Sequence, residues 1–313
     1  MAMTQAHFDV VVIGSLCVDL VFSGLPRWPE PGQEIYVSDF APGAGEMFTI
    51  AATLSRLGLR VGLLGEVGND FFSRYVLDEI ERAGISRELV FVRDHPLPAV
   101  SVCLPYEGER GLISYTEARR GSSAAEQGFA ADMLAHLEQV SWSAAFLYLY
   151  PRMRDVLRLL KQRGAPIFID AGCSLSTITA SRFAELAAFG DYFMPNQAEA
   201  AMITGQERPA EAARLLAHSG PIPIIKMGAE GALAWRNGEL VRCPAWPVAE
   251  VVDTTGAGDA FDAGFIYGML RNYSFLEALR CGTICGSLST TALTGTAAVP
   301  TAEELEQLRS RDR

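Results

Sequence analysis

The chain has 313 residues, of which 49% are hydrophobic, and this length and composition predict a globular protein with a sizeable core. Its formal net charge of −11 at pH 7 argues against a surface that binds phosphate backbones or anionic lipid, so we expect neither nucleic acid nor a membrane as a partner. No apolar run approaches the roughly 20 residues of a membrane-spanning helix, and the first residues show no signal-type pattern, which favours a cytoplasmic location.

Apolar strand-like runs and amphipathic helix-like runs alternate along the chain. The strand-like runs include FDVVVIGS, VGLLGEV, AAFLYLY, PIFIDA and YFMPN, and the helix-like runs between them include MFTIAATLSRLG, FFSRYVLDEIERAG, VLRLLKQRG and RFAELAAFG. Such alternation is typical of a mostly parallel sheet with helices on both faces. We therefore predict an α/β fold.

Two segments interrupt this alternation. Residues from about 16–40 and 96–118 carry Pro, Gly and strand-like pieces without helices, so we expect antiparallel excursions that form a small β lid. A further hairpin is predicted in ALAWRNGELVRC, because Asn237-Gly238 suits a tight turn. Since we find no repeat or flexible linker, residues 1–313 are interpreted as a single domain that carries this lid.

The stretch DTTGAGDAF, residues 253–261, lies between a strand-like run and a segment with the apolar density of a buried helix. Gly256, Ala257 and Gly258 are therefore placed at a helix start, where free N–H groups, the helix dipole and the lack of side chains favour an anion. Asp259 would either cap this helix or accept a proton from a hydroxyl group while the amides hold the charge of a transferring phosphoryl group. The sequence has no G-x-x-x-x-G-K-[ST] motif, and GAGEMF and GAGDAF lack the third glycine of a dinucleotide fingerprint.

Three other places carry candidate site residues, each with a structural alternative. Asn196 and Glu199 in PNQAEA would form a capping box or orient a hydrated magnesium ion, and the residues alone leave these interpretations even. Asp19 is either a polar turn residue or an acid that binds sugar hydroxyl groups at the hinge of the lid. Lys226 and Gly228 in IKMGAEGA follow a strand, where α/β sheets commonly meet ligands, or they simply form a hairpin turn.

With these motifs the sequence resembles the ribokinase-like, or PfkB, family of carbohydrate kinases. The similarity runs from about residue 8 to residue 305 and includes, in the order of the family, VVIGSLCVDLVF, LSRLG, GEVGNDFFSRYVLDEIERAGI, PNQAEA, IKMGAEGALA, DTTGAGDAF and VPTAEEL. The resemblance implies a ribokinase-like three-layer α/β/α fold with a β lid over the acceptor. It also implies transfer of the ATP γ-phosphate to a hydroxymethyl group of a sugar or nucleoside, with Mg²⁺ as cofactor.

The resemblance further implies a role for each residue at a matching position. Asp259 matches the catalytic base, and Gly256, Ala257 and Gly258 match the anion hole. It favours the metal and phosphate role for Asn196 and Glu199. The other implied contacts are Asp19 and Gly45 to the acceptor, Asn196, Lys226, Gly228, Gly256 and Gly258 to the nucleotide, and Asp253 and Thr255 to a monovalent cation such as K⁺.

The acceptor loop departs from the pattern of the family, which has paired glycines followed by an asparagine. Counting back from Gly58 finds Ala44-Gly45 and then Thr49, so we expect Thr49 to bind the acceptor in place of the asparagine. A threonine offers one hydroxyl group where an amide offers both a carbonyl and an amino group. Met47 and Phe48 add apolar bulk beside Thr49. They favour an acceptor with an apolar face, unless they only begin the core stripe of the next helix.

A second departure concerns acidic acceptors. FIDAGCSLST lacks an arginine that the family often has shortly after the corresponding aspartate, which argues against an acidic sugar. Arg120 leaves the lid hairpin toward the site, and it either compensates as a substrate-binding residue or is simply solvated.

The six cysteines form neither a C-x-x-C pair nor a group with histidines. Because a zinc site needs such a cluster of ligands, we predict buried free thiols.

From these features we expect an ATP-dependent sugar kinase that transfers the phosphoryl group directly to its acceptor. A nucleoside kinase is the alternative within the same chemistry. A non-catalytic ligand sensor is the alternative from another class, and the intact Asp259 argues against it. Because the lid is too thin to bury two faces and leaves free strand edges, we also expect a homodimer formed through the lid.

Overall fold

Strands and helices alternate through most of the described chain. The computed structural model describes residues 7–106, 109–116, 131–150, 153–172 and 180–311. Its strands are β1 (His7–Phe8), β2 (Val10–Ile13), β3 (Leu16–Ser23), β4 (Asp39–Glu46), β5 (Val61–Val67), β6 (Val90–Val92), β7 (Ala99–Tyr106), β8 (Glu109–Thr116), β9 (Ser141–Trp142), β10 (Ala145–Tyr148), β11 (Ile167–Asp170), β12 (Tyr192–Phe193), β13 (Ile222–Lys226), β14 (Ala232–Arg236) and β15 (Glu239–Cys243). Its helices are α1 (Met47–Arg56), α2 (Phe71–Arg82), α3 (Arg154–Arg163), α4 (Ala180–Ala187), α5 (Gln197–Thr204), α6 (Pro209–Leu216), α7 (Ala257–Leu270), α8 (Phe275–Ser289) and α9 (Ala302–Ser310).

A nine-stranded sheet forms the centre of the fold, with strand order β15-β14-β13-β12-β11-β10-β2-β5-β6. All neighbours from β13 to β6 pair in parallel, whereas β14 and β15 are added in antiparallel fashion at one edge. The prediction of a mostly parallel sheet is confirmed. The carboxyl ends of the parallel strands meet at one edge of the sheet, which is where α/β folds bind ligands.

Helices cover both faces of this sheet, as strand β2 illustrates. Val10 and Val12 pack in one core cluster together with residues of α1, α2, α7 and α8. Val11 and Ile13 pack in a second cluster with residues of α3, α4 and α6. Because successive side chains of a strand point to opposite faces, a strand that is covered on both faces reads as an unbroken apolar run.

A separate sheet of four strands, in the order β4-β3-β7-β8, is called the lid sheet below. β3 pairs antiparallel with β4, and β7 pairs antiparallel with β8, but β3 and β7 are parallel. The expected antiparallel character is therefore only partly correct, because the chain passes through α1, β5 and α2 before β7 returns in the direction of β3. In addition, β4 extends to Glu46, beyond the expected residue 40, and continues directly into α1.

The predicted hairpin joins β14 and β15. Asn237 and Gly238 have φ angles of 53° and 82°, and the pairing of Arg236 with Glu239 leaves just these two residues in the turn. Two consecutive positive φ angles are typical of a type I′ turn, so this prediction is confirmed.

The described cysteines are buried and free, as expected, namely Cys17, Cys103, Cys243, Cys281 and Cys285. Cys173 lies outside the described residues.

In the described ranges, no helix combines the length and apolar character that crossing a membrane requires. The single domain over residues 1–313 stays a prediction.

Candidate active site

Helix α7 begins at a backbone turn in which the position of Gly256 has no room for a side chain. The N-cap residue Gly256 has a φ of 73°, a conformation that strongly favours glycine. A Cβ atom at this position would lie 2.8 Å from Gly295 Cα and 3.0 Å from Thr49 Cγ2. Gly256, Ala257 and Gly258, called the anion turn below, thus combine a left-handed N-cap with the first N–H groups of a helix. The N–H of Ala257 donates a hydrogen bond to Thr254 O at 3.3 Å.

Asp259 follows the anion turn in the first turn of α7 and is half-buried. The hydroxyl group of Tyr148, at the end of β10, donates a hydrogen bond to Asp259 Oδ1. Burial raises the pKa of Tyr148 well above its ordinary value, and the carboxylates of Asp259 and Asp170 add to this effect. The phenol therefore remains a donor at neutral pH.

Asp259 belongs to a group of three carboxylates, Asp170, Asp259 and Asp262, called the acid cluster below. Each offers an oxygen atom within 4.8 Å of the others. Asp170 ends β11, and Asp262 lies on α7 about one turn after Asp259. Burial raises the pKa of Asp262 well above its ordinary value, and the nearby ammonium group of Lys226 opposes this shift.

Lys226 neutralises part of the acid cluster. Its Nζ lies 2.8 Å from Asp170 Oδ2 and 3.0 Å from Asp262 Oδ2, and all three side chains are buried. Burial alone would lower the pKa of Lys226, but Asp170 and Asp262 outweigh it and raise this pKa. A Cβ added to Gly258 would lie 3.3 Å from Lys226 Nζ, so the ammonium group lies directly beside the anion turn. The sequence predicted a contact of Lys226 to the nucleotide, whereas in the structure its ammonium group is paired with carboxylates.

Asn196 and Glu199 form the capping box that was one of their two interpretations. Asn196 Oδ1 accepts a hydrogen bond from Glu199 N at 2.9 Å, and Glu199 Oε2 accepts one from Asn196 N at 2.7 Å. Burial, together with the Asp170 carboxylate, raises the pKa of Glu199 to about 7. Oxygen ligands and a local excess of negative charge suit hydrated Mg²⁺, so the residues present also fit the implied cofactor.

Asp253 ties the segment before α7 to a neighbouring loop. Its Oδ1 accepts a hydrogen bond from Thr255 N, and its Oδ2 accepts one from Thr294 N, both at 2.9 Å. The hydroxyl oxygen of Thr255 is buried and has no hydrogen-bond partner. A buried oxygen without a partner beside a carboxylate fits the monovalent cation that the resemblance implies.

On the acceptor side, Asp19 and Gly45 come together. Asp19 lies on β3 opposite Gly43 of β4, and a Cβ added to Gly45 would collide with the Asp19 carboxylate. The thiol group of Cys17 donates a weak hydrogen bond to Asp19 Oδ1 over 3.6 Å. The lid sheet thus holds this carboxylate against a glycine backbone.

Thr49, Met47 and Phe48 are buried, whereas residues that line an open pocket would be partly exposed. Thr49 is 2% exposed, and its methyl group packs against Gly256 and Gly295. Met47 and Phe48 are buried in the core cluster of α1. Their burial favours the interpretation that they begin the core stripe of this helix.

Gly228 and Arg120 complete the predicted set. Gly228 begins a short 3₁₀ turn after β13 with a φ of 57°, and nothing lies within 4 Å of an added Cβ. This backbone is therefore open to a ligand. Arg120 lies outside the described residues.

Four further side chains were missed at the level of the sequence: Tyr148, Asp170, Asp262 and Glu46. Tyr148 and Asp170 are the last residues of adjacent parallel strands, and Asp262 is an acid in an otherwise apolar helix, which was a usable signal. Glu46 has a φ of 53° at the start of α1. Burial, with repulsion from carboxylates that include Glu46, raises the pKa of both Cys17 and Tyr148, so Glu46 lies within electrostatic reach of both.

Over most of its length the chain is similar to known carbohydrate kinases. A family model described as pfkB family carbohydrate kinase matches residues 7–302. The 2-dehydro-3-deoxygluconokinase of Bacillus subtilis is 29% identical over 296 residues, which cover 88% of this chain and 90% of that protein. The ribokinase of the same organism is 26% identical over 306 residues, which cover 96% of this chain and 99% of that protein.

Solved structures share the fold. The Burkholderia thailandensis nucleoside kinase in complex with inosine matches with a TM-score of 0.80 at 21% identity and covers 96% of this chain and 95% of its own. The Arabidopsis thaliana ribokinase complexed with ribose and ATP matches with a TM-score of 0.77 at 22% identity and covers 97% and 99% of the two chains. The predicted ribokinase-like fold is therefore confirmed.

Proposed function

The chain belongs to the pfkB family of carbohydrate kinases, and from this premise we propose that it transfers the γ-phosphoryl group of ATP to a hydroxymethyl group of a small, neutral sugar. The observation that supports this most directly is the anion turn, whose left-handed glycine N-cap leads into α7 with Asp259 in the first turn. Backbone N–H groups and a carboxylate at this spacing suit a phosphoryl group and the hydroxyl group that attacks it.

In this proposal Asp259 accepts the proton of the acceptor hydroxyl group as the new oxygen–phosphorus bond forms. The bond between the γ-phosphorus and the bridging oxygen of ADP breaks on the opposite side, so no phosphoenzyme forms. The N–H groups of the anion turn hold the charge of the transferring group. Lys226, beside Gly258, neutralises Asp170 and Asp262 close to this turn and so reduces their repulsion of the phosphoryl group.

Cations complete the proposed site. Mg²⁺, when bound, neutralises charge on the phosphate oxygens of ATP. Asn196 and Glu199 would hold its water ligands, and Gly228 would border the nucleotide. Asp253 and Thr255 would bind K⁺ beneath the anion turn, which the partnerless Thr255 hydroxyl oxygen supports.

The preference for a neutral acceptor rests on charge. Asp19 lies on β3 of the lid sheet. Glu46 at the start of α1 acts electrostatically on Tyr148, the donor to Asp259. In this proposal the carboxylates of Asp19 and Glu46 both face the acceptor. Carboxylates accept hydrogen bonds from sugar hydroxyl groups, but they repel an acceptor that is itself a carboxylate. The ammonium group of Lys226 is already bonded to Asp170 and Asp262 and so does not offset this repulsion.

The test is ADP release with a panel of acceptors. We expect the highest kcat/KM for a neutral sugar such as ribose or fructose, and a much lower value for a deoxygluconate. A preference for the sugar acid would contradict the charge argument, and a preference for a nucleoside would establish the alternative kinase. ATP binding without ADP release from any acceptor would support a ligand sensor instead.

The charge argument has its own variant pair. Glu46→Gln removes the nearby carboxylate and is expected to improve kcat/KM for a sugar acid relative to a neutral sugar. Asp39→Asn, at the exposed far end of the same strand, is the matched control and should leave this ratio unchanged. Equal ratios in the two variants would mean that Glu46 does not face the acceptor.

We also propose that two chains associate through the lid sheet. Strand β8 is an edge strand of this sheet and exposes Leu112, Ile113 and Tyr115. A free edge with exposed apolar side chains is a surface that a second copy of the same sheet can cover.

The cytoplasmic location stays a prediction, which a requirement for ATP supports.

A further inference from the structure

Tyr148 is held in place by its surroundings more firmly than a surface tyrosine would be. It is 6% exposed at the end of β10. Its ring packs edge-on against Phe146 with ring centroids 5.9 Å apart. Gly172 closes the other side, since a Cβ there would lie 2.8 Å from the ring atoms Cγ and Cδ2. The hydroxyl group therefore has a fixed direction, which is toward Asp259.

The charges that face Asp259 come from several elements. Asp170 ends β11, Asp262 lies on α7 and Glu199 lies on α5, and Glu46 at the start of α1 acts on Tyr148, the donor to Asp259. Lys226 places its ammonium group on Asp170 and Asp262. Tyr148 thus donates its hydrogen bond to Asp259, the carboxylate that the proposed reaction uses, whereas Lys226 pairs with Asp170 and Asp262.

We propose that Tyr148 is a positioning residue for phosphoryl transfer, because its hydroxyl group donates a hydrogen bond to Asp259 Oδ1 and so fixes the orientation of the carboxylate that accepts the proton of the acceptor. This proposal rests on the proposed function of Asp259 as the base. The phenolic proton stays on Tyr148 throughout, and the transferred proton passes from the acceptor hydroxyl group to Asp259. A donor to an ionised carboxylate also favours the ionised form, which is the form that a base needs.

The test compares Tyr148→Phe with Tyr267→Phe. Tyr267 is also buried, lies on α7 and donates its hydroxyl group to the carboxylate of Glu306 outside the site, so the control removes the same group from the same kind of partner. We expect Tyr148→Phe to lower kcat on the order of tenfold, with KM for ATP and for the acceptor nearly unchanged. The acid limb of the pH profile of kcat/KM should move to higher pH, because Asp259 loses a donor to its ionised form.

A merely structural tyrosine would behave differently. If Tyr148→Phe matched Tyr267→Phe in kcat and in its pH profile, the proposal would be overturned. The same holds if Tyr148→Phe weakened ATP binding and lowered the thermal unfolding midpoint without moving the pH profile.

A double variant separates this proposal from the proposed function. If Tyr148 acts only through Asp259, Tyr148→Phe should cost nothing further in an Asp259→Asn background. Full activity of Asp259→Asn would refute the base assignment itself. An inactive Asp259→Asn alongside a fully active Tyr148→Phe would refute the positioning role alone.

Discussion

At the scale of single residues, Asp259 and its amide isostere differ chiefly in the ability to take a proton. We expect Asp259→Asn to lower kcat by about 100-fold or more, because a general base is removed. Nucleotide affinity should be kept, since the anion turn and the turn at Gly228 are unchanged. Steady-state kinetics together with ATP-binding calorimetry test this, and retained turnover would exclude Asp259 as the base.

Lys226 supports a second prediction at this scale, on stability. Lys226→Met would leave Asp170 and Asp262 buried beside each other without their cation, a loss of about 3–5 kcal/mol in the free energy of unfolding. Lys161 provides the matched control, because it is paired with Asp191 at 3.1 Å, with the two side chains 50% and 41% exposed. Lys161→Met should cost no more than about 1 kcal/mol.

Denaturant unfolding of both variants decides between two views of the buried charges. A small loss for Lys226→Met, equal to that of Lys161→Met, would mean that the carboxylates relax or take up protons without the lysine. A large loss would mean that the acid cluster depends on Lys226 for its place in the core.

At the scale of elements, the capping box of α5 can be compared with the same motif elsewhere. Ser274 and Glu277 form a capping box at the start of α8, as Asn196 and Glu199 do at the start of α5. Asn196→Ala and Ser274→Ala should therefore both destabilise the protein by about 1 kcal/mol. If Asn196 also holds hydrated Mg²⁺, only its variant should need more Mg²⁺ to reach half-maximal activity.

Magnesium titrations of both variants, at saturating ATP and acceptor, measure this difference. Identical Mg²⁺ requirements would restrict Asn196 to helix capping. The structure shows Asn196 in both hydrogen bonds of the capping box. A role of Asn196 in holding Mg²⁺ would therefore be additional to helix capping.

Elements also show which features a single sequence can predict. The helix start at Gly256 and the turn at Asn237-Gly238 depend on the conformations of a few adjacent residues, and both were predicted correctly. The parallel pairing of β3 with β7 depends on segments that are far apart along the chain, and it was missed. Local patterns carry little information about such pairing.

The acid cluster was missed for a related reason. Tyr148 and Asp170 are neighbours because β10 and β11 are adjacent in the sheet. Lys226 reaches Asp262 across 36 residues of sequence and Asp170 across 56. The order of the strands in the sheet brings these groups together. The residues around any one of these groups do not predict that order.

At the scale of the whole molecule, the site lies where two parts of the fold meet. The carboxyl ends of β10, β11 and β13 supply Tyr148, Asp170 and Lys226, and the lid sheet carries Asp19, the proposed contact to the acceptor. A Cβ at Gly43 of the lid sheet would come within 3.0 Å of the methyl group of Thr294, whose loop is tied to Asp253. The close approach of Gly43 to the Thr294 side chain thus brings the lid sheet against the loop that Asp253 ties to the segment before the anion turn.

The exposed strand β8 gives the prediction that concerns the assembled molecule. Ile113 is 67% exposed on this edge strand, and a second lid sheet would bury it together with Tyr115, which lies on the same face of the strand. We expect light scattering at micromolar concentration to give the mass of two chains. Ile113→Arg should shift the protein to one chain, because a buried arginine without a partner is costly.

Met202 offers a control with the same exposure, since it is also 67% exposed but lies on α5, away from the lid sheet. Met202→Arg should leave the mass of two chains unchanged, which separates loss of a specific interface from a general effect of added charge. If the unmodified chain is a clean monomer, the apolar side chains of β8 do not join two copies. If Met202→Arg dissociates the dimer and Ile113→Arg does not, the interface includes α5 rather than β8. Only dissociation by Ile113→Arg alone supports association through the lid sheet, because only that result requires β8 to be covered.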